Sequence, residues 1–518
     1  MQLADVRRRA LDWLRPDGRL SWLRTALALE ALVVLVSAVL FAAGLDLWGF
    51  AMVGVLCALI THVAFLRPGV RVVSLWGALS FVVTVGAGAR GLIIALDYPS
   101  RAANNAMFLR GHSFASLVPE AVFTVVGVLA VTYGYLRGRA GESDGPARLD
   151  RRWLMPVGRM SDKVMGFTVA GYAVVALAAT VAYYIAVGGT DATIGERRST
   201  YTGEADYVSN GPTAYVAHAG VVALLLYLAW RLQNDRRMRP VEIGIAGLLA
   251  VNAFGINWVT TTRSDLVYVT LGLLLVLQLI RGRLSLRLAL ALGLAVIVGI
   301  GGLTALRGGG ASEGGSGLSI AFGVKSSLLN RNGFDLGKTL LVSDAVPAKL
   351  PYEYGQTIVT YVVAPIPRAV WPEKPVVSPG PTIGKKIYNL GRTGVPPGMV
   401  AELAWNFGQT LAVVLTLVAG FALGRLERWA LKIRADTIVL VLIYALTILP
   451  VGKELMGVAV GQTGSAVLQS LGLILPLAVV SRFFATPEPV PTDGAGADGA
   501  TAQRRGRHRQ AGLPRVGS

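Results

Sequence analysis

The stretch Leu284-Ser-Leu-Arg-Leu-Ala-Leu-Ala-Leu-Gly-Leu-Ala-Val-Ile-Val-Gly-Ile-Gly-Gly-Leu-Thr-Ala-Leu306 decides the fold class. From Leu288 to Leu306 it carries no charge, and an apolar run of about 20 residues is what a helix needs to cross a bilayer. Windows of the same kind recur outward from it, near 265–281, 240–260, 212–231, 164–188, 114–136, 70–96, 47–66 and 23–44 on one side, and near 398–424, 437–451 and 464–484 on the other. Over the whole 518 residues, 53% are hydrophobic and 15% charged. That is more apolar surface than a soluble domain can cover, so an ordinary globular enzyme is excluded. The expectation is an all-α polytopic membrane protein with about twelve transmembrane helices and one large external loop.

The connections give the orientation. Basic clusters lie at Arg7–Arg9, Arg67 and Arg71, Arg137–Lys163, Arg231–Arg239, Arg281–Arg287, Arg425–Arg434 and Arg482–Arg515, in every second connection. Cytoplasmic loops are the ones enriched in Lys and Arg, so these clusters and both termini are expected in the cytoplasm. The net charge of +19 is therefore read as membrane topology rather than as a nucleic-acid surface. Residues 1–22 form a basic amphipathic N-terminus, 23–306 helices one to nine, 307–397 the external loop, 398–484 the last three helices, and 485–518 a disordered tail. The first helix is too long for a signal-peptide core and reads as retained.

The external loop opens on the glycine-rich run Gly308–Gly317, a hinge rather than a phosphate cradle because it lacks the GK[ST] ending. Ile320 to Val346 suggests one or two amphipathic helices lying at the interface. Ile358-Val-Thr-Tyr-Val-Val-Ala-Pro-Ile-Pro-Arg-Ala-Val-Trp-Pro-Glu-Lys-Pro375 is apolar but proline-broken, which suits a re-entrant or interfacial segment. Between Arg307 and Pro397 stand ten Lys and Arg against five Asp and Glu. Positive charge on this side is not required by topology and suits an anionic ligand or lipid headgroups.

Metal chemistry has no framework here. The four histidines are scattered, the single Cys57 sits in an apolar window, and no DxD motif occurs. No cofactor is expected.

Four fragments then carry a resemblance: Leu329-Asn-Arg-Asn-Gly-Phe334, Leu350-Pro-Tyr-Glu-Tyr-Gly355, Ile366-Pro-Arg-Ala-Val-Trp-Pro-Glu-Lys-Pro375 and Pro397-Gly-Met-Val-Ala-Glu-Leu-Ala-Trp-Asn-Phe-Gly408. In this order they resemble the O-antigen or oligosaccharide repeat-unit polymerases of the Wzy type. Thr262-Arg263-Ser264 resembles the family's outward turn between two mid-chain helices. The Arg-x10-Gly spacing of some members is not met at Arg197, Arg331 or Arg368. The resemblance implies a GT-C-like, metal-independent glycosyltransferase in the bacterial plasma membrane. It would move a growing glycan from polyprenyl diphosphate to the hydroxyl of an incoming lipid-linked repeat unit. Its partners would be that lipid-linked oligosaccharide, membrane lipids, and a chain-length regulator or flippase. A glycan ligase of the same fold and a lipid-linked glycan transporter remain as alternatives.

Such a transfer asks for cations to hold the departing diphosphate and a base for the attacking hydroxyl. Arg263, Arg331 and Arg368 are the first choices for the cations, followed by Arg90, Arg197 and Arg198 with Tyr201, and by Lys374. Each also has a structural reading. Arg263 and Arg331 suit lipid headgroups, Arg368 packing on Trp371, Arg90 an intramembrane ion pair, and Arg197, Arg198 and Tyr201 a solvated loop. Glu402 is the leading base. Asn406 and Gln409 follow it at i+4 and i+7, so the three form one polar stripe on an otherwise apolar helix, facing the bundle interior or a wet cavity, with an interhelical hydrogen-bond seam as the structural reading. Asp265 is the rival, with helix capping as its structural role. His218 reads as a packed histidine.

Overall fold

The computed structural model describes residues 16–67, 70, 72–96, 111–140, 158–189, 213–233, 238–260, 264–281, 286–304, 335–363, 371, 373, 379–389, 395–430 and 438–487. Helices α1 (Pro16–Ala42), α2 (Trp48–Val63, extended by a 3-10 turn to Leu66) and α3 (Leu75–Leu96) are followed by α4 (Val118–Arg139), α5 (Asp162–Ala186) and α6 (Ala219–Gln233). Next come α7 (Pro240–Thr260), α8 (Ser264–Arg281) and α9 (Leu286–Thr304). Three shorter helices fall in the expected external segment: α10 (Leu336–Ala345), α11 (Gln356–Val359, continued as a 3-10 turn to Val363) and α12 (Gly380–Tyr388). The chain closes with α13 (Gly398–Ala430), α14 (residues 438–457) and α15 (Val460–Phe484).

Among the described residues nine helices are long and apolar enough to cross a membrane. They include α1 to α5, α7, α13 and α15, and a sixth-helix span from Thr213 to Leu232. Apolar side chains point outward along them, including Leu29, Leu32 and Val39 on α1 and Phe167, Val174 and Ile185 on α5. A helix that is apolar on its uncovered face as well as its packed one belongs in lipid, so this is a membrane-embedded bundle. Each of the twelve expected windows contains a helix. Within α8 and α9 the described residues include the apolar stretches Val269–Gln278 and Ala291–Ile300. Among the described residues one small sheet stands outside the helices. Gly158–Met160 pairs antiparallel with Ala485–Pro487, so the start of the expected tail is ordered against the segment before α5.

Contacts between connections sort into two faces. On one, Arg67 Nη1 donates to the Leu136 carbonyl (3.4 Å), Arg139 pairs with Glu427 (3.2 Å) and Arg231 with Glu242 (3.5 Å). On the other, Asp46 accepts from the backbone N–H groups of Phe114 (2.6 Å) and Ala115 (2.9 Å), and Gly398 N–H donates to the Val458 carbonyl (3.0 Å). Every such contact joins connections of the same parity, which is the arrangement the alternating basic clusters require. The absolute orientation is open to a direct test. With Cys57 buried and silent, an impermeant maleimide applied to intact spheroplasts should label Lys385→Cys and Gly315→Cys and leave Gly145→Cys and Asp235→Cys unlabelled. The reverse pattern would invert the molecule.

Among the described helices α4 and α13 pack most extensively. Gly134 and Gly138 on one, and Gly420 and Gly424 on the other, bring backbone against backbone, so that a Cβ on Gly420 would stand 2.2 Å from the Val131 carbonyl oxygen. Small residues at this spacing are how helices approach in lipid, where hydrophobic burial supplies no preference between protein and acyl chain. At the basic end of this pair Glu427 is fully buried. It accepts from Arg139 (3.2 Å) and from the Trp76 backbone N–H (3.0 Å), while the Trp76 ring stacks on Tyr135 at 4.1 Å. The carboxylate thus sits at the N-terminus of α3 with a cation beside it, which is how a buried charge is tolerated.

Candidate functional site

Two buried polar clusters lie on the face opposite the basic connections. The first is built at the start of α13. This helix is interrupted at Gly408 (φ 78°, ψ 163°), a conformation closed to a residue with a side chain. The break frees the carbonyls of the preceding turn. Glu353 N–H takes that of Trp405 (3.3 Å) and Tyr354 N–H that of Asn406 (3.2 Å). Trp405 Nε1 donates to the Pro351 carbonyl (2.9 Å), and the Asn406 carboxamide oxygen accepts from Gly355 N–H (2.8 Å). The segment from Pro351 to Thr357 is thereby clasped to the first half of α13.

Glu402 is the centre of this clasp and is fully buried. Thr357 Oγ1 donates to its Oε1 at 3.0 Å, Asn406 Nδ2 donates to Thr357 Oγ1 at 2.7 Å, and the Val460 backbone N–H donates to its Oε2. One carboxylate therefore joins α11, α13 and the N-terminus of α15, where the helix dipole favours negative charge. Nearby Tyr361 donates from its hydroxyl to Gln462 Oε1 at 3.3 Å.

The expected stripe stops at Asn406. Gln409 is exposed, because the non-helical turn at Gly408 removes the seven-residue register on which the stripe depends. Nothing in Asn-Phe-Gly-Gln distinguishes that glycine from one inside a continuous helix.

The second cluster surrounds Arg90, which is 2% exposed. It follows a π-helical segment of α3, Thr84–Ala89, and its Nε lies 3.3 Å from Asp335 Oδ2. Asp335 also caps α10, its Oδ1 accepting from Lys338 N–H at 3.4 Å. Lys338 is itself 1% exposed, and Leu336 to Ser343 are buried on every side of α10. Here the expectation of an amphipathic helix at the interface is corrected for the part that is described. Polar Lys338, Thr339 and Ser343 are buried together with Leu336, Leu340, Leu341, Val342 and Ala345, so α10 inserts among α2, α4, α12 and α13 rather than lying on the surface. The surface-lying helix is α12, which buries Ile383, Ile387 and Tyr388 and exposes Lys385 and Lys386.

Of the expected site residues, Arg90, Glu402 and Asn406 are thus buried on this face, in two clusters. Arg197, Arg198, Tyr201, Arg263, Arg331, Arg368 and Lys374 lie outside the described residues. Asp265 is the second residue of α8, and its side chain lies outside them too. His218 Nδ1 lies 2.9 Å from the Ala214 carbonyl oxygen, a local helix contact. Asp335, Lys338 and Thr357 were missed by the sequence reading. Asp335 had one signal, its place as an N-cap before Leu336, while the other two had none. Among the described residues no three His, Cys, Asp or Glu side chains converge as metal ligands. Comparison with protein-family models, with curated proteins and with solved structures finds no match.

Proposed function

We propose that the protein is a GT-C-like membrane glycosyltransferase that polymerises polyprenyl-diphosphate-linked oligosaccharide repeat units on the face opposite its basic connections. The observation that carries this reading is the pair of almost fully buried cations on that face, Arg90, whose guanidinium pairs with Asp335, and Lys338, in the first turn of the helix that Asp335 caps. Intramembrane charges mark functional sites by default, and a guanidinium suits a diphosphate because its planar fork grips two oxygens. Arg263, Arg331 and Arg368, with Arg197, Arg198, Tyr201 and Lys374, complete the proposed anionic subsite.

In the proposed reaction the acceptor hydroxyl oxygen bonds to the anomeric carbon. The carbon–oxygen bond to diphosphate breaks with its electron pair going to the leaving group, and the hydroxyl proton passes to a carboxylate. Glu402 is the proposed base. Its Oε1 already accepts from one hydroxyl, that of Thr357, and the acceptor hydroxyl would take that place. Asp265 is the alternative.

The reading is tested with purified protein and lipid-linked repeat units, scored as polymer on a gel. Wild type should form polymer in excess EDTA. Glu402→Gln can still accept from Val460 N–H and donate to Thr357, so it should fold, yet it cannot take a proton and should lose activity by about a hundredfold or more. Normal polymer from Glu402→Gln together with none from Asp265→Asn would transfer the role to Asp265. No transfer by the wild type from any lipid-linked oligosaccharide would sink the assignment.

A further inference from the structure

Ionisable groups that glycan transfer does not use lie in the half of the bundle nearer the basic face. Glu30 stands within the α1 span, and His62 is one turn from the end of α2. His62 Nδ1 lies 2.6 Å from Glu30 Oε1, and its Nε2 lies 3.0 Å from Thr84 Oγ1, at the first residue of the π segment of α3. Thr84 has a single hydroxyl proton, which it gives to the Ser80 carbonyl at 2.7 Å. With the hydroxyl proton on the Ser80 carbonyl, Nε2 carries a hydrogen and donates it to Thr84. That leaves one proton for Nδ1 and Oε1 together.

We propose that Glu30 and His62 form an intramembrane proton-binding site that holds one exchangeable proton and fastens α1 to the bundle. With that proton the pair is neutral overall, whether it is written as imidazole and carboxylic acid or as imidazolium and carboxylate. Losing it leaves a net negative charge in the membrane, and gaining a second leaves a net positive one, so both changes are resisted. Glu30 Oε2 is buried and has no hydrogen-bond partner, which favours the protonated carboxyl because a bare carboxylate oxygen there is the costlier form. The site is also where α1 needs an anchor, since α1 is mostly uncovered and packs chiefly on α2. Few other charges face it. Among the described side chains of these helices and of the turn joining the first two, the other ionisable residues are exposed Arg24 on α1, Asp46 beyond the far end of α1, where it accepts from Phe114 and Ala115 N–H, buried Cys57 on α2, exposed Arg67 just after it, and Arg90 on α3, engaged with Asp335. Arg24 and Cys57 are six and five residues from Glu30 and His62 respectively, off their helix faces. The site is independent of the glycan reading, because it touches neither cluster on the opposite face.

The test uses the full-length protein in lipid nanodiscs with dicyclohexylcarbodiimide, a lipid-soluble reagent for protonated carboxyls. Adducts are read by mass spectrometry of the peptide holding Glu30. The carboxyl, carried on a side chain that is 21% exposed, should be modified in the wild type at neutral pH. His62→Gln, which brings no charge to the carboxyl, should keep the adduct. His62→Lys, which sets a permanent cation beside it, should lower the adduct about tenfold or more. Absence of the adduct from the wild type would overturn the proposal. So would an adduct as abundant in His62→Lys as in the wild type.

Discussion

Arg90→Ala is expected to abolish polymer formation and to loosen α10 from the bundle. The arginine and Asp335 are both nearly inaccessible, so removing one partner strands a buried carboxylate, a loss of about 3–5 kcal/mol. A drop in polymer from that variant alone would therefore say nothing about substrate. The informative variant is Arg90→Met with Asp335→Asn. Asparagine keeps the oxygen that caps α10 while removing the charge, and methionine refills the guanidinium's space, so thermal stability should return to within about 1–2 kcal/mol of wild type. If Arg90 also holds the diphosphate, transfer by the paired variant should stay about a hundred- to a thousandfold down, the scale of one preorganised donor. Recovery of both stability and polymer would reduce Arg90 to a structural ion pair.

The other large effect is expected at the contact between α4 and α13. In Gly420→Ala the new methyl would lie 2.2 Å from the Val131 carbonyl oxygen, and in Gly134→Ala it would lie 2.2 Å from that of Leu417. Backbone atoms cannot step aside as a side chain can, so the helices must separate. Overpacking of this kind costs about 1–3 kcal/mol at one site. Combining the two should leave little protein accumulating in the membrane, measured by fluorescence-detected size exclusion. Gly171→Ala on α5 is the control, because nothing lies within 4 Å of its added methyl. There alanine should be neutral or stabilising by up to about 1 kcal/mol through helix propensity. Equal behaviour of Gly171→Ala and Gly420→Ala would mean that this helix contact is not formed as described.

These expectations differ in how far the sequence alone could have led to them. The glycines at 134, 138, 420 and 424 are visible as two G-x-x-x-G repeats, yet only the packing shows that they face one another. Arg90 was recognisable as a charge needing a partner in an apolar window, but Asp335 stands far along the chain in a segment read as interfacial. Glu402 and Asn406 were singled out by their four-residue spacing, which holds because their half of α13 is regular helix. Gln409 was lost because the spacing argument assumes continuity through Gly408, where the chain leaves the helical region.

The sequence by itself determined that the chain is a helical bundle in a membrane, roughly where most of its helices lie, and which connections share a face. Those properties are sums over contiguous residues: hydropathy accumulates along twenty neighbours, and basic clusters mark the loops in which they occur. Only the tertiary structure decided which charge meets which. Glu402 finds Thr357 at 45 positions' separation and Val460 at 58, and Glu427 finds Trp76 at 351. A buried polar group must be satisfied by whatever donor the packing delivers, and no local window encodes a partner supplied by a distant helix.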